Sequence, residues 1–590
     1  MPTYRAPVDE VMFLLRDVFH VERYNNLPGF AEASPDIVEA VLAEAARFCE
    51  DVLTPLNRVG DKEGCRRHAD GSVTTPPGFR DAYGKLVAGG WVGASAPAEF
   101  GGQGLPTVLT QAIREFLYSS NMAFAMYSSL ALGAVAAIYS HGSAEQKALY
   151  LPKLISGEWA GTMNLTEPQC GTDLGQLRCR AAPQPDGSYK ITGTKIFISA
   201  GEHDLTDNII HLVLARIDGA PLGTKGISLF IVPKFLLNPD GALGARNAVS
   251  CGSIEEKMGI HGNATCVMNY DGATGWLTGE KHRGLYAMFT MMNTARLSVG
   301  VQGLALSEVA YQNAVVYAKE RLAGRALSGA KFPQQAADPI IVHPDVRRML
   351  MTMRAFNEAA RALVLWTALK GDIARRSVDA KERQAADDHM GLMTPVIKGV
   401  LTDQGFANTV AAQQIFGGHG YIAEHGMEQF VRDARIAMIY EGTNGIQALD
   451  LVGRKLPKDG GRALQAFFAE VSGYIKEADA AMAPYVTPLE KALGELREAT
   501  LWFAQNAPGN PDNAGAGATD YMQLFGLVAL GYMWCRVVDA AKAKTAAAAM
   551  NDKLVTARFF MERMLPATAT HLARIKAGAD STMALPIESF

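Results

Sequence analysis

Cysteine is scarce in this chain: seven among 590 residues, at positions 49, 65, 170, 179, 251, 266 and 535, with no C-x-x-C pair. An odd, scattered set excludes a disulfide framework and reads as reduced thiols in a cytosolic protein. No Cys/His spacing completes a zinc site, so no metal is expected. A surplus of one charge is missing too. Lys and Arg number 56 against 60 Asp and Glu, a formal −4, which gives no reason to expect a nucleic acid or an anionic membrane as partner. The N-terminus mixes Arg5, Asp9, Glu10, Arg16 and Asp17 into its apolar residues, unlike a signal peptide. The longest apolar stretches, around residues 130–138 and 524–535, fall short of a membrane span. A cytoplasmic location is therefore expected. Also missing is a G-x-G-x-x-G between a strand and a helix: Gly418-His419-Gly420 continues into Tyr421-Ile422-Ala423. A Rossmann-type dinucleotide site is not supported.

The chain is too long for a single core, and its texture divides it. Residues 1–35 form an arm whose Tyr4, Phe13, Leu14, Leu15, Phe19 and Tyr24 are apolar enough to pack on something. Residues 36–160 carry helical spacing, with apolar side chains recurring at three and four. Residues 161–280 turn to β texture: Tyr189-Lys190-Ile191-Thr192 and Lys195-Ile196-Phe197-Ile198-Ser199 flank Gly193 as a hairpin, and residues 209–217 and 226–232 are β-branched runs of strand length. Helical spacing returns over residues 281–456. Residues 457–590 predict a further helical domain, in which Pro488 opens a helix with Leu489, Leu493, Leu496, Thr500 and Phe503 on one face. Residues 505–520 read as a Gly/Pro/Asn linker, with helices over 521–550 and 553–577 beyond it. The fold class expected is mainly α with a central β domain.

One carboxylate has a setting suited to chemistry. Glu441 lies between Tyr440 and Gly442 in Ile439-Tyr440-Glu441-Gly442-Thr443-Asn444-Gly445-Ile446-Gln447. An apolar surround raises a carboxyl pKa toward neutrality, where it can take a weakly acidic proton. Gly442, lacking Cβ, lets a ligand approach the backbone. The bland alternative is a Glu in a turn at a helix end, with Thr443 or Asn444 as cap. Other clusters favour structural readings. His203-Asp204…Asp207 and Asp387-Asp388-His389 read as solvated groups, Met288, Met291 and Met292 as helix core, and Lys542, Lys544 and Lys553 as surface charge.

Three segments in order change the weight given to Glu441: Met163-Asn164-Leu165-Thr166-Glu167-Pro168-Gln169-Cys170-Gly171-Thr172-Asp173, Gln413-Gln414-Ile415-Phe416-Gly417-Gly418-His419-Gly420-Tyr421, and the Glu441 segment itself. Together they resemble the acyl-CoA dehydrogenase family over roughly residues 36 to 455. The resemblance implies a helical N-terminal domain, a β-barrel-like middle domain and a C-terminal helical bundle. The arm and the residues beyond 456 resemble a longer bacterial subgroup of that family, which adds a helical domain at the C-terminus.

The same resemblance implies FAD, bound between the β and helical domains, with part of its site supplied by a second subunit. Thr166 and Thr172 match positions contacting the flavin and its phosphates. Phe197 and Ser199 match the strand beside the isoalloxazine, where relatives more often carry Trp. Arg321 matches a pyrophosphate contact across a dimer interface, although the loop that follows it is shorter than in relatives. Gln414 and Gly418 match positions near the adenosine half, and Thr443 a threonine at the phosphates. Gln429, where a basic residue is usual, reads as a surface change. In some relatives the base stands on an earlier helix, at the position of Ala295, which cannot take a proton. Glu441 is thus the expected α-proton base, with its N–H beside the thioester oxygen. Tyr440, Gly442 and Arg296 match the substrate region.

The activity implied is FAD-dependent α,β-dehydrogenation of an acyl-CoA, with Glu441 taking the α-proton and flavin N5 the β-hydride. The subgroup points to 3-(methylthio)propanoyl-CoA, oxidised to 3-(methylthio)acryloyl-CoA during dimethylsulfoniopropionate degradation. Medium or long straight-chain acyl-CoAs of fatty-acid β-oxidation are the alternative substrates, and an acyl-CoA oxidase the alternative enzyme. Electron-transfer flavoprotein is the expected electron acceptor, and a homodimer or a dimer of dimers the expected assembly.

Overall fold

The computed structural model describes residues 2–544 and 548–590. They fall into two compact units: residues 1–46, 106–119 and 299–590 in the first, and 47–105 and 120–298 in the second.

The second unit is built on a seven-stranded sheet: β1 (Trp159–Asn164), β2 (Arg180–Pro183), β3 (Tyr189–Ser199), β4 (Asn208–Ile217), β5 (Ile227–Pro233), β6 (Val249–Ile254) and β7 (Thr265–Thr278). The order is β6-β7-β3-β2-β4-β1, and β5 pairs with both β7 and β4. That double pairing closes β7, β3, β2, β4 and β5 into a small barrel, which removes their free edges. β4 and β5 are buried almost throughout and are predominantly apolar, although His211 and Ser228 lie buried within them. Most pairings are antiparallel, whereas β4 runs parallel to both β1 and β2. The hairpin expected at Gly193 does not form. β3 is one strand, and Gly193 (φ 147°) lies so close to Cys179 that a Cβ would sit 3.1 Å from its Sγ. The glycine marks a close approach between strands rather than a turn.

The first unit is helical. Its helices include the long α1 (Pro344–Arg376), α2 (Ala380–Ile415), α4 (Ala483–Asn506) and α5 (Asp512–Lys542) and the short α3 (Asn444–Asp450). α1 packs along α2, and α5 lies against α1, α2, α3 and α4. The N-terminal arm, helical from Val8 to Phe13, buries Phe13, Leu14, Leu15 and Phe19.

Three expectations about the first unit are corrected. Pro488 lies inside α4, which already begins at Ala483; a proline so near the start removes one ladder bond without ending the helix. The expected linker over 505–520 is mostly helix, because α5 starts at Asp512. Gly517, which suggested a loop, is where α5 meets α4: a Cβ there would stand 2.9 Å from the Phe503 ring. Lys553 is not surface charge. It is buried and paired with Glu10 and, at 3.1 Å, with Glu358, tying the arm to α1.

Two helices, Thr107–His141 and α5, prove long and apolar enough to cross a membrane, contrary to the reading of their shorter apolar runs. Their apolar windows are 72% and 78% buried within the protein, as core helices are. Asn121 interrupts the first of them with extended geometry (φ −161°, ψ 91°).

Candidate active site

In the first unit, the helix Met427–Arg435 passes into a tight turn over Ile436–Met438 and then reverses at Glu441 and Gly442. Both residues are left-handed, at φ 58° and 82°. Gly442 adopts this freely, whereas a side-chain-bearing residue is strained there by about 1–3 kcal/mol, so surrounding bonds must hold it. They are present. The Gln447 amide donates to the carbonyls of Glu441 and Gly442, each at 3.1 Å. Lys398 Nζ donates to the Gly442 carbonyl at 2.8 Å and to Asn444 Oδ1 at 2.7 Å. The Lys398 side chain is fully buried. Asn444 Nδ2 in turn donates to Thr402 Oγ1 at 2.9 Å and Asp403 Oδ1 at 2.7 Å.

Thr443 does occupy the N-cap of α3, as the alternative reading had it, but its side chain makes no capping bond to the helix. The Thr443 hydroxyl donates backward to the Met438 carbonyl at 3.3 Å, and Asn444 is committed to α2. Tyr440 points inward and donates a short hydrogen bond to Gln302 Oε1. Burial pushes its phenol pKa well up, and the nearby Glu441 carboxylate adds to the effect. Glu441 therefore sits at the rim of an apolar interior, displayed by a turn fixed from beneath.

Arg321, Gln414 and Gly418 of this unit gather at an exposed surface. Tyr317 stacks on Phe416 with ring centroids 4.1 Å apart, and its hydroxyl bonds His419 Nδ1 at 2.8 Å. This contact brings the end of the helix Gly284–Glu320, and with it Arg321, to the segment holding Gln414 and Gly418. Arg321 and Gln414 are exposed. The loop after Arg321 is organised by Asp338, which accepts N–H bonds from Ala326, Lys331 and Phe332 and a bond from Arg325. These donors hold its carboxyl at about 2, below the ordinary carboxylate range.

The second unit holds the remaining residues. Ile196 donates to the Thr166 carbonyl at 2.9 Å, so the loop of Thr166 to Thr172 is knit to β3. Beneath it Glu167 accepts from the Arg178 and Cys179 amides at 2.7 and 3.0 Å and from Lys195 Nζ at 2.8 Å, in full burial. Two residues on, Phe197 is left-handed (φ 58°) and is 60% exposed. Thr172 is exposed, and Thr166 and Ser199 are half-buried. Taken by itself, this unit offers hydroxyls and a flat, open ring suited to an aromatic group, and the first unit by itself offers an exposed guanidinium and amide suited to phosphates. Arg296 is buried, with its guanidinium 5.9 Å over the Phe289 ring.

Among the described residues no group of His, Cys, Asp and Glu could hold a metal, and all seven cysteines are free. Three structural readings change. His203 is not solvated but buried, and burial drives its pKa down to about 3. His389 likewise is held neutral by burial. Gln429 is no surface change: it is buried and bonds Asp433 one turn along at 3.3 Å, so a neutral amide suits the site. Lys398 and Gln302 escaped the sequence reading, and Asn444 and Gln447 were not read as holding the Glu441 turn. A lysine within the apolar run of residues 392–401 was the available sign.

Models of three acyl-CoA dehydrogenase domains match the chain: N-terminal over residues 36–158, middle over 162–273 and C-terminal over 282–456. A fourth, acetyl-CoA dehydrogenase C-terminal like, matches 467–586. The chain is similar to 3-methylmercaptopropionyl-CoA dehydrogenase of Ruegeria pomeroyi, 42% identical over 98% of this chain and 99% of that one. It is also similar to a broad-specificity linear acyl-CoA dehydrogenase of Mycobacterium tuberculosis, 35% identical over 96% of each. Among solved structures, Caenorhabditis elegans ACDH-11 in complex with C11-CoA superposes with a TM-score of 0.78 at 19% identity, covering 96% of this chain and 92% of the other. That likeness speaks to the fold, including the added C-terminal domain.

Proposed function

The chain belongs to the acyl-CoA dehydrogenase family, and we propose that it oxidises a short acyl-CoA, 3-(methylthio)propanoyl-CoA foremost, with Glu441 as the α-proton base. It is an oxidoreductase acting on acyl-CoA, and its cofactor is FAD. When bound, FAD supplies the hydride acceptor that no side chain provides. The observation that carries the reading is the strained, bolted turn at Glu441, because a left-handed carboxylate residue held by Gln447 and Lys398 is costly unless its placement serves chemistry. Its carboxylate takes the α-proton, and the Tyr440 ring keeps the carboxylate's inner side dry. Thr166, Thr172, Ser199, Arg321, Gln414, Gly418 and Thr443 hold the cofactor, Phe197 lies against its ring, and Arg296 and Gly442 border the substrate.

The substrate preference rests on the 42% identical relative, which spans nearly the full length of both chains. Short straight-chain acyl-CoAs should also be accepted, as the linear-chain relative suggests. A thioether resembles a methylene in shape, and one methylene in an apolar pocket is worth only about 1–3 kcal/mol. The enzyme acts in the cytoplasm as a homodimer or a dimer of dimers and passes electrons to electron-transfer flavoprotein. The test is kcat/KM for methylthiopropanoyl-, butanoyl-, octanoyl- and palmitoyl-CoA, with oxygen uptake followed alongside. A maximum at octanoyl or longer overturns the substrate, and turnover driven by oxygen alone makes the enzyme an oxidase.

A further inference from the structure

The added C-terminal domain touches the network that holds Glu441. On α5, Gln523 Nε2 donates to Asp403 Oδ2 at 2.7 Å. The other oxygen of the same carboxylate accepts from Asn444 at 2.7 Å, and Asn444 Oδ1 accepts from Lys398, which also holds the Gly442 carbonyl. Four side chains thus run without a gap from the extension to the peptide next to Glu441. The contact has little slack. Gly399 lies so close to α5 that a Cβ would stand 2.3 Å from Met522 Sδ, and one at Gly526 would stand 2.6 Å from Val400. Glycines on both helices let α2 and α5 approach, and Gln523 stands beside Met522 at this crossing.

We propose that Gln523 is a positioning residue for dehydrogenation, through which the C-terminal domain fixes the turn that presents Glu441. The inference rests on Glu441 being the base. Asp403 is the junction: burial raises its carboxyl pKa, opposed by the bonds from Asn444 and Gln523 and by the charges of Lys398 and Arg435. Loss of the Gln523 amide leaves Asp403 Oδ2 without that donor, and the carboxylate re-orients toward its remaining partners. Asn444 then shifts, and the Lys398 clamp on Gly442 with it. The effect belongs to the proton-abstraction step, since neither Gln523 nor Asp403 is among the residues assigned to CoA or flavin.

The test is anaerobic stopped-flow bleaching of the full-length, FAD-loaded enzyme with butanoyl-CoA and its α,α-dideuterated form. Gln523→Leu is expected to slow bleaching by about three- to thirtyfold and to enlarge the deuterium isotope effect, with FAD content and Tm retained. Asp403→Asn should slow bleaching as well, and the double variant should be little slower than the worse single one, since both break one chain. Gln523→Glu supplies a second readout if Leu fails to fold. Protonated, the introduced carboxyl donates to Asp403 as the amide does; ionised, it repels the Asp403 carboxylate. The Gln523→Glu rate should therefore approach wild type at low pH and fall as pH rises. Wild-type bleaching in Gln523→Leu, additive losses in the double variant, or a Gln523→Glu profile that follows wild type would each overturn the relay. Glu441→Gln, run in parallel, separates the two readings: if it bleaches at the wild-type rate the base assignment falls, and if it is inactive while Gln523→Leu is unchanged only the relay falls.

Discussion

Each unit bends one side-chain-bearing residue into the left-handed region at a place the family resemblance marks as functional, and the two solve the same problem differently. Phe197 and Glu441 both have φ 58°, and each is supported by a lysine with no solvent exposure, Lys195 and Lys398. Lys195 meets a carboxylate: Glu167, itself buried, accepts from it at 2.8 Å, and the pair braces a cofactor loop against a strand. Lys398 donates to a backbone carbonyl and a side-chain amide, and the same amide group donates to the Asp403 carboxylate. A direct ion pair makes a rigid shelf. Around Glu441 the cation grips the backbone: Lys398 and Gln447 both hold the Gly442 carbonyl, and Asn444 links Lys398 to Asp403.

The comparison is sharpest in what breaks each side. Glu441→Gln keeps the shape of the turn and removes the base, so turnover should fall by about two to four orders of magnitude while acyl-CoA still binds. Wild-type kcat in this variant would place the base elsewhere. Lys195→Met leaves Glu167 charged, buried and without its ion pair, at a cost of about 3–5 kcal/mol in stability. Calorimetry of that variant should show a large loss of Tm with loss of FAD; a Tm within a degree of wild type would mean the pair is dispensable.

Lys398→Met should act on rate more than on folding. The Gly442 carbonyl keeps its bond from Gln447, and Asn444 keeps three contacts on α2, so the turn persists but is less tightly held. Proton abstraction should slow by about ten- to a hundredfold, the scale expected when a positioned group is misplaced by up to an ångström. The check is bleaching rate per bound flavin. If Lys398→Met instead loses FAD and Tm as Lys195→Met does, the two lysines are equivalent and the distinction fails.

What the sequence disclosed follows the same division. The barrel strands were legible because β4 and β5 are predominantly apolar runs of strand length, and the segment around Glu441 stood out because its motif is local. Gly193 and Gly517 misled, one taken for a turn and the other for a linker, since a glycine that admits a neighbouring strand or ring looks the same in sequence as one that bends the chain. Lys195 and Lys398 were not singled out, because a lone lysine gives no sign of whether its ammonium reaches water or a partner distant in sequence. Gln523 was hidden for the same reason, its partner lying 120 positions away.

The smallest effect concerns the barrel unit's own response to acid. His203 and His211 are buried there, and burial, reinforced by the Lys234 charge, drives both pKa values down to about 3. His211 is held neutral with Nδ1 on Thr162 Oγ1 at 2.7 Å, while its Nε2 is buried without a hydrogen-bond partner and could be protonated only at high cost. In the unfolded chain a histidine takes its proton near pH 6.5, so the unfolded state binds more protons than the folded one between about pH 6.5 and 3. Stability is therefore complete above pH 6.5 and is lost as pH falls through that window, approaching about 1.4 kcal/mol per pH unit for each such histidine. His211→Gln removes one of these protons from the balance. Urea unfolding of wild type and variant from pH 7 to pH 5 should give a shallower fall for the variant, whatever its stability at pH 7. Parallel slopes would mean that His211 accepts its proton in the folded barrel, and the neutral, buried ring would have to be abandoned.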